Sequence, residues 1–169
     1  MDGKRVNDSR VILSKVMLPQ DANPAGLIHG GVIMKEIDNA AGVVSVKHTR
    51  TVCVTASIDR LDFYNPVHVG DLVTFRASLN LVGKTSMEVG VRVETENLLT
   101  GKKTHTASAY LTFVALGPDL KPASAPPLIL ETEIEKRRER EARTRREVRL
   151  AEKKKEKQCQ ETPSACGSD

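Results

Sequence analysis

The sequence predicts an α+β domain in which one long central helix is wrapped by a curved antiparallel β-sheet, with elements in the order β-α-β-β-β-β. Three observations carry this reading. A single stretch, Gly31 to about His48, repeats apolar residues at helical spacing. Four later segments alternate apolar and polar residues with period two, the pattern of an antiparallel sheet covered on one face. One helix cannot cover a wide flat sheet, so the sheet has to curl around it. With aromatic residues at 3% and no Trp, the core must be built from Val, Leu, Ile and Ala.

Residues 9–18 (SRVILSKVML) read as the first strand, β-branched and closed by Pro19. Residues 19–31 carry two prolines and three glycines and form a loop that runs into a helix start. Along the helix, Ile33, Ile37, Ala40, Ala41 and Val44 form the apolar stripe, and the small cluster Ala40-Ala41-Gly42 lets the sheet approach closely. Residues 52–63 start a strand with Val52, Val54, Ala56 and Ile58 on one face. Residues 72–82 place Val73, Phe75, Ala77, Leu79 and Leu81 together, residues 85–96 align Met87, Val89, Val91 and Val93, and residues 104–116 align Ala107, Ala109, Leu111, Phe113 and Ala115. Asn65-Pro66, Gly70-Asp71, Gly83-Lys84 and Gly101-Lys102 punctuate the turns. Edge strands left open by such a sheet are free to pair with a second copy, so a dimer or larger assembly is expected.

Pro118, Pro122, Pro126 and Pro127 end this body. The resulting organisation is an N-terminal segment 1–8, a domain 9–127, a charged helix 128–157 and a tail 158–169 without regular structure. The formal charge of +4 is unevenly spread: residues 1–130 hold 14 Lys and Arg against 12 Asp and Glu, and residues 131–157 hold 12 against 8. The basic balance therefore belongs to the C-terminal segment and is no argument for a nucleic-acid-binding core. In that segment Glu133/Arg137, Glu139/Arg143 and Glu141/Arg145 are i,i+4 pairs, each worth about 0.3–0.5 kcal/mol. The apolar positions Ile134, Val148 and Leu150 do not repeat as heptads, so the segment reads as a solvated helix rather than a coiled coil.

Other classes are not expected. No run of about 18 apolar residues is present to span a membrane, and MDGKRVNDSR lacks the apolar stretch of a signal peptide. Cys53, Cys159 and Cys166 lack metal-ligand spacing and read as reduced thiols of a cytoplasmic protein. The four histidines form no H-x-x-x-H pair, so no metal site is expected. No serine sits in a G-x-S-x-G elbow.

The chemistry-bearing stretch is Asp21 to Asp38. His29-Gly30-Gly31 leads directly into the helix, where unpartnered backbone N–H groups and the helix dipole could stabilise a carbonyl oxygen gaining charge. Asp38 borders the apolar stripe, where a partly desolvated carboxylate suits proton transfer or nucleophilic attack; alternatively it marks the polar edge of the helix. By themselves, His29 could simply cap the loop and Asn23 before Pro24 could be a turn residue.

Several segments in order resemble the hotdog-fold acyl-CoA thioesterases, in the branch of the cytosolic, brain-type acyl-CoA hydrolases and their short bacterial relatives. They are P-x-x-A-N-x-x-G-x-x-H-G-G (Pro19 to Gly31), M-K-x-I-D-x-A-A-G (Met34 to Gly42), T-A-S-I-D-R-L-D-F (Thr55 to Phe63), the turn from Lys84 to Val89, and A-S-A-Y-L-T-F-V-A-L (Ala107 to Leu116). The likeness covers roughly residues 9–130 and implies hydrolysis of fatty acyl-CoA to fatty acid and CoA, with no cofactor beyond the CoA of the substrate. It puts the catalytic pair on Asn23 and Asp38, one from each subunit of a homodimer, with Asp38 as general base or nucleophile. His29, Gly30 and Gly31 would position the oxyanion, and Lys84, Thr85, Ser86 and Arg60 would contact CoA. Dimers would assemble as trimers of dimers. Two alternatives stand beside it: a hotdog enoyl-CoA hydratase, whose Asp-x-Asn-Pro-x-His pattern fails here because Gly26 holds the His position, and a non-enzymatic acyl-CoA sensor.

Overall fold

The computed structural model describes residues 2–161. Strands β2 (Val11–Val16), β3 (Val52–Phe63), β4 (Leu72–Val82), β5 (Ser86–Glu96) and β6 (Lys103–Leu116) form one antiparallel sheet in the order β2-β4-β5-β6-β3. Helix α2 (Gly30–Thr49) lies across its concave face, one residue longer at each end than the apolar spacing predicts. His29 caps its start through Nδ1, and Arg50, in the left-handed region at φ 60°, closes its end with its N–H on the Val46 carbonyl. Ile33, Ile37, Ala40, Ala41 and Val44 are all buried against Val73, Phe75, Val89, Leu111 and Phe113. Each such large side chain contributes about 1.5–3 kcal/mol by leaving water. A Cβ at Gly42 would sit 3.7 Å from the Phe113 ring, which measures how closely helix and sheet approach. The wrapped-helix architecture, a hotdog fold, thus matches the expectation, as do the inward faces of β4, β5 and β6.

Strand β3 departs from its expected alternation. Its pairing with β6 shifts register between Thr55 and Ser57 and again between Ile58 and Arg60. Cys53 and Thr55 lie opposite Ala115 and Phe113, whose side chains are in the core, whereas Ser57 lies opposite Thr112 on the outer face. Each β-bulge inserts a residue and re-aims the strand. Val52, Val54 and Ile58 consequently do not share one buried face, and all three are exposed, at 58%, 43% and 41%.

Both ends of the chain differ from expectation. The N-terminal segment carries elements that the sequence reading did not name: β1 (Lys4–Arg5) pairs in parallel with β7 (Leu128–Ile129), and α1 (Val6–Ser9) follows it. Residues 128–129 therefore belong to that clasp, and the charged helix α3 runs over Glu133–Glu161. Residues 158–161 continue α3; the rest of the expected tail, 162–169, lies outside the described residues. Nor is α3 simply solvated. Ala142 is fully buried, and Arg145 and Arg149 bind Glu88 and Asp59 on the outer face of the sheet. Residues 142, 145, 146 and 149 form a single helical stripe, and Arg146 lies over Gly83, where a Cβ would come within 3.2 Å of its guanidinium. Of the expected pairs, Glu139–Arg143 forms, but Arg137 pairs with Glu141 at 3.8 Å and Arg145 turns to the sheet. Cys53 is a free thiol.

Candidate active site

Asp38 projects from α2 toward edge strand β3. Its Oδ1 accepts a 2.6 Å hydrogen bond from the Thr55 hydroxyl. The pair stands at the rim of a cavity of about 390 Å³ whose walls are Gly42, Val43, Val46, Cys53 and Phe113, with Lys47 at its edge. A carboxylate with one oxygen held by a hydroxyl keeps the other for a ligand or water, and the walls beyond it suit an apolar chain. The Cys53 thiol is unsuited to serve as the nucleophile there. Burial pushes its pKa up, outweighing the hydrogen bonds with Thr49 and Thr51.

Asn23 occupies the tip of the loop before α2. Its side-chain oxygen accepts from the N–H groups of Ala25 at 2.9 Å and Leu27 at 3.2 Å, an Asx turn closed by Gly26 at φ 77°. Both oxygen lone-pair directions are therefore engaged, while the amide nitrogen remains available to donate. Asn23 lines a second cavity, of about 270 Å³, with Ile28, Gly30, Ile33, Phe63 and Val67. The Phe63 ring lies beside Gly30, where a Cβ would sit 3.6 Å away.

The His29 ring does cap the loop, accepting the Gly31 N–H at 3.0 Å. Gly31 is thus committed, and among the described residues no acceptor meets the Gly30 N–H, which points from the positive end of α2. Within one chain, Asn23 and Gly30 share one cavity and Asp38 and Thr55 share the other; Asn23 and Asp38 are not brought together.

Lys84, Thr85 and Ser86 form the β4–β5 turn, held by Gly83 N–H on Ser86 O and by Ala115 N–H on Thr85 O. Ser86 lies opposite Val114, which lies opposite Val54, so the turn is two strands, or about 10 Å, from the strand that carries Thr55. Arg60 lines neither cavity and binds Asp62 at 2.5 Å on the exposed part of β3. No group of three or more His, Cys, Asp or Glu is placed to hold a metal among the described residues, and no helix there is long and apolar enough to cross a membrane.

Sequence reading missed Thr55 as a site residue. A signal existed: polar Thr55 alternates with Val52, Val54 and Ala56, which marks the helix-facing side of β3 as its polar side. The bulges that decide this alternation have no signature in the residues themselves.

The sequence profile of the Thioesterase superfamily matches residues 25–102. The chain is 39% identical to Protein VdlD of Helicobacter pylori over 83% of its length and 80% of the relative. It is 38% identical to the uncharacterized acyl-CoA thioester hydrolase YkhA of Bacillus subtilis, over 76% and 74%. The Cytosolic acyl coenzyme A thioester hydrolase of Rattus norvegicus is 35% identical over 83% of this chain, which spans 37% of that longer protein. Among solved structures, an apo-hexameric acyl-CoA thioesterase superposes with a TM-score of 0.87 at 39% identity, over 90% of this chain and 97% of the other. The acyl-CoA hydrolase of Staphylococcus aureus, solved with butyryl coenzyme A and coenzyme A, gives 0.87 at 34% identity over 95% and 98%. Variants of that hydrolase with one asparagine, one aspartate or one threonine changed to alanine are similar in structure.

Proposed function

The chain belongs to the thioesterase superfamily and is an acyl-CoA thioester hydrolase, and on that premise we propose that it cleaves fatty acyl-CoA to free fatty acid and CoA at sites shared between two copies of itself. The observation that carries this reading is the Thr55–Asp38 hydrogen bond at the rim of an apolar cavity. In support, the asparagine, aspartate and threonine altered in the Staphylococcus aureus hydrolase stand in the order and at the separations of Asn23, Asp38 and Thr55.

Asp38, fixed by Thr55, takes a proton from a water whose oxygen attacks the thioester carbonyl carbon. The carbonyl oxygen gathers negative charge against the Gly30 N–H at the helix start of the other subunit, the subunit that also supplies Asn23. Collapse of the tetrahedral intermediate breaks the C–S bond, and the CoA thiolate leaves and takes up the proton. Asn23, supplied by the other subunit, orients water or thioester through its amide nitrogen. The acyl chain lies along Gly42, Val46 and Phe113. Lys84, Thr85 and Ser86 meet the CoA phosphates, with Arg60 a more distant contact. CoA enters as part of the substrate, and the reaction is assigned to the chain's own groups.

Open edge strand β3 supports pairing of two copies: Val52, Val54 and Ile58, together with Met34, Val43 and Val46 of α2, leave a large apolar area exposed beside the site. Such dimers join as trimers of dimers, and the enzyme works in the cytoplasm.

Thiol release from acetyl-, hexanoyl- and palmitoyl-CoA tests the reading. Asp38→Asn should lose at least about a hundredfold in rate, near 2.7 kcal/mol in the barrier. Asn23→Ala should lose comparably. Mixing the two inactive variants and allowing subunits to exchange should restore about a quarter of wild-type activity, because half the dimers are then mixed and each has one intact site. No recovery would place both residues in one subunit's site. No hydrolysis of any chain length by the wild type would leave an acyl-CoA sensor.

A further inference from the structure

Helix α3 reaches the catalytic strand by one residue. The Arg149 guanidinium binds the Asp59 carboxylate, with 14% and 9% of the two side chains exposed. Asp59 is the inserted residue of the second β3 bulge, between Ile58 and Arg60. Its carboxylate also accepts from the Ser57 hydroxyl at 2.6 Å and from the Thr112 hydroxyl of β6 at 2.9 Å. Three donors from three elements thus converge on one bulge residue. Ser57 itself closes the first bulge, whose other side is Thr55.

The consequence is geometric. Without the first bulge, residues 55 and 57 would point to the same face of the sheet. With it, Thr55 faces α2 and Asp38, while Ser57 and Asp59 face outward, toward α3. Edge strand β3 has a hydrogen-bonded neighbour on one side only, so its irregular course leans on the contacts that converge on Asp59.

Resting on the proposed hydrolytic role of Asp38, we infer that Arg149 is a positioning residue for the active site: by clamping Asp59 it holds the double bulge of β3 in the register that aims the Thr55 hydroxyl at Asp38. The C-terminal helix is then part of the catalytic framework. Arg149 touches no substrate; its effect passes through Asp59 and β3.

The test replaces Arg149 by Met, which keeps the length and loses the charge, and by Lys, which keeps the charge. Arg149→Met should lower kcat about tenfold with KM changed less than about twofold, and Arg149→Lys should restore most of it. In a Thr55→Val background the same Arg149→Met change should alter kcat less than about twofold, because the group it positions is gone. Hydrogen exchange of the amides of residues 54–60 should quicken in Arg149→Met while the α2 core stays protected, a readout that needs no turnover. If Arg149→Met does not fold, the pair Asp59→Asn with Arg149→Gln, which leaves no lone buried charge, is read in the same way. Unchanged exchange over residues 54–60, or equal losses of kcat with and without Thr55, overturns the inference. A wild type without hydrolytic activity would instead overturn the functional reading, leaving the exchange measurement to decide the clamp alone.

Discussion

Arg145 of α3 holds Glu88 of β5 with two nitrogens, Nη2 at 2.7 Å and Nε at 3.2 Å, while its guanidinium lies 3.8 Å above the Tyr110 ring. Glu88 is 3% exposed, and its remaining partner is the Asn80 amide at 3.0 Å. This contact anchors the middle of α3 beside the fully buried Ala142. Removing the arginine alone strands a buried carboxylate, so Arg145→Met should destabilise by about 3 kcal/mol. Adding Glu88→Gln should recover much of that loss. Urea unfolding of the two single variants and the double variant checks it, and additive losses would contradict the pairing.

The cavity beside Asp38 should set acyl length. At Gly42 a Cβ fits at ordinary contact distance from Phe113, but a larger side chain must extend into the cavity. Gly42→Leu should therefore lower kcat/KM for palmitoyl-CoA at least about tenfold more than for acetyl-CoA, since a filled pocket discriminates by the methylenes it excludes. Equal effects on both substrates would move the acyl chain elsewhere.

Subunit pairing should depend on the exposed side of β3. Val54→Lys puts a cation on an edge strand, a substitution that opposes strand pairing. The variant should sediment as a folded monomer and lose hydrolysis, because neither copy then holds a complete site. A monomer with full activity would defeat the shared-site reading.

His48 makes stability depend on pH. It is fully buried near the end of α2, with Nε2 2.8 Å from the Pro126 carbonyl and Nδ1 without a partner among the described residues. Burial pushes its pKa below the usual 6.5; the carbonyl works against that, and the Lys4 ammonium adds to the lowering. The unfolded chain binds the proton below about pH 6.5 and the folded chain resists it. The stability is therefore whole above 6.5 and is lost as pH falls toward the depressed folded value. Urea midpoints from pH 8 to pH 5 should drop more steeply in the wild type than in His48→Gln, and parallel curves would refute the assignment.

Much of the fold was legible because it rests on repeats. The α2 stripe of Ile33, Ile37, Ala40, Ala41 and Val44 and the alternation in β4, β5 and β6 show in the chain because burial on one face demands those periods. Asn23 and Asp38 were singled out by the resemblance of their motifs; by local position alone they read as a turn residue and a helix-border carboxylate. Strand β3 was misread where two bulges break its period. Helix α3 was misread because its docking stripe is Ala142, Arg145, Arg146 and Arg149, charged residues that look solvated until their partners are known.

The residues alone therefore determined one helix wrapped by an antiparallel sheet, since its periods follow from neighbours within a few positions, while the motif resemblance singled out Asn23 and Asp38. Only the tertiary structure decided which way Thr55 points, that Gly31 is spent on His29 while Gly30 is left to donate, that Asn23 and Asp38 stand in different cavities, and that Arg149 meets Asp59 across 90 residues of chain. Those outcomes depend on strand register and on pairs distant in sequence, and no local preference of the chain encodes either.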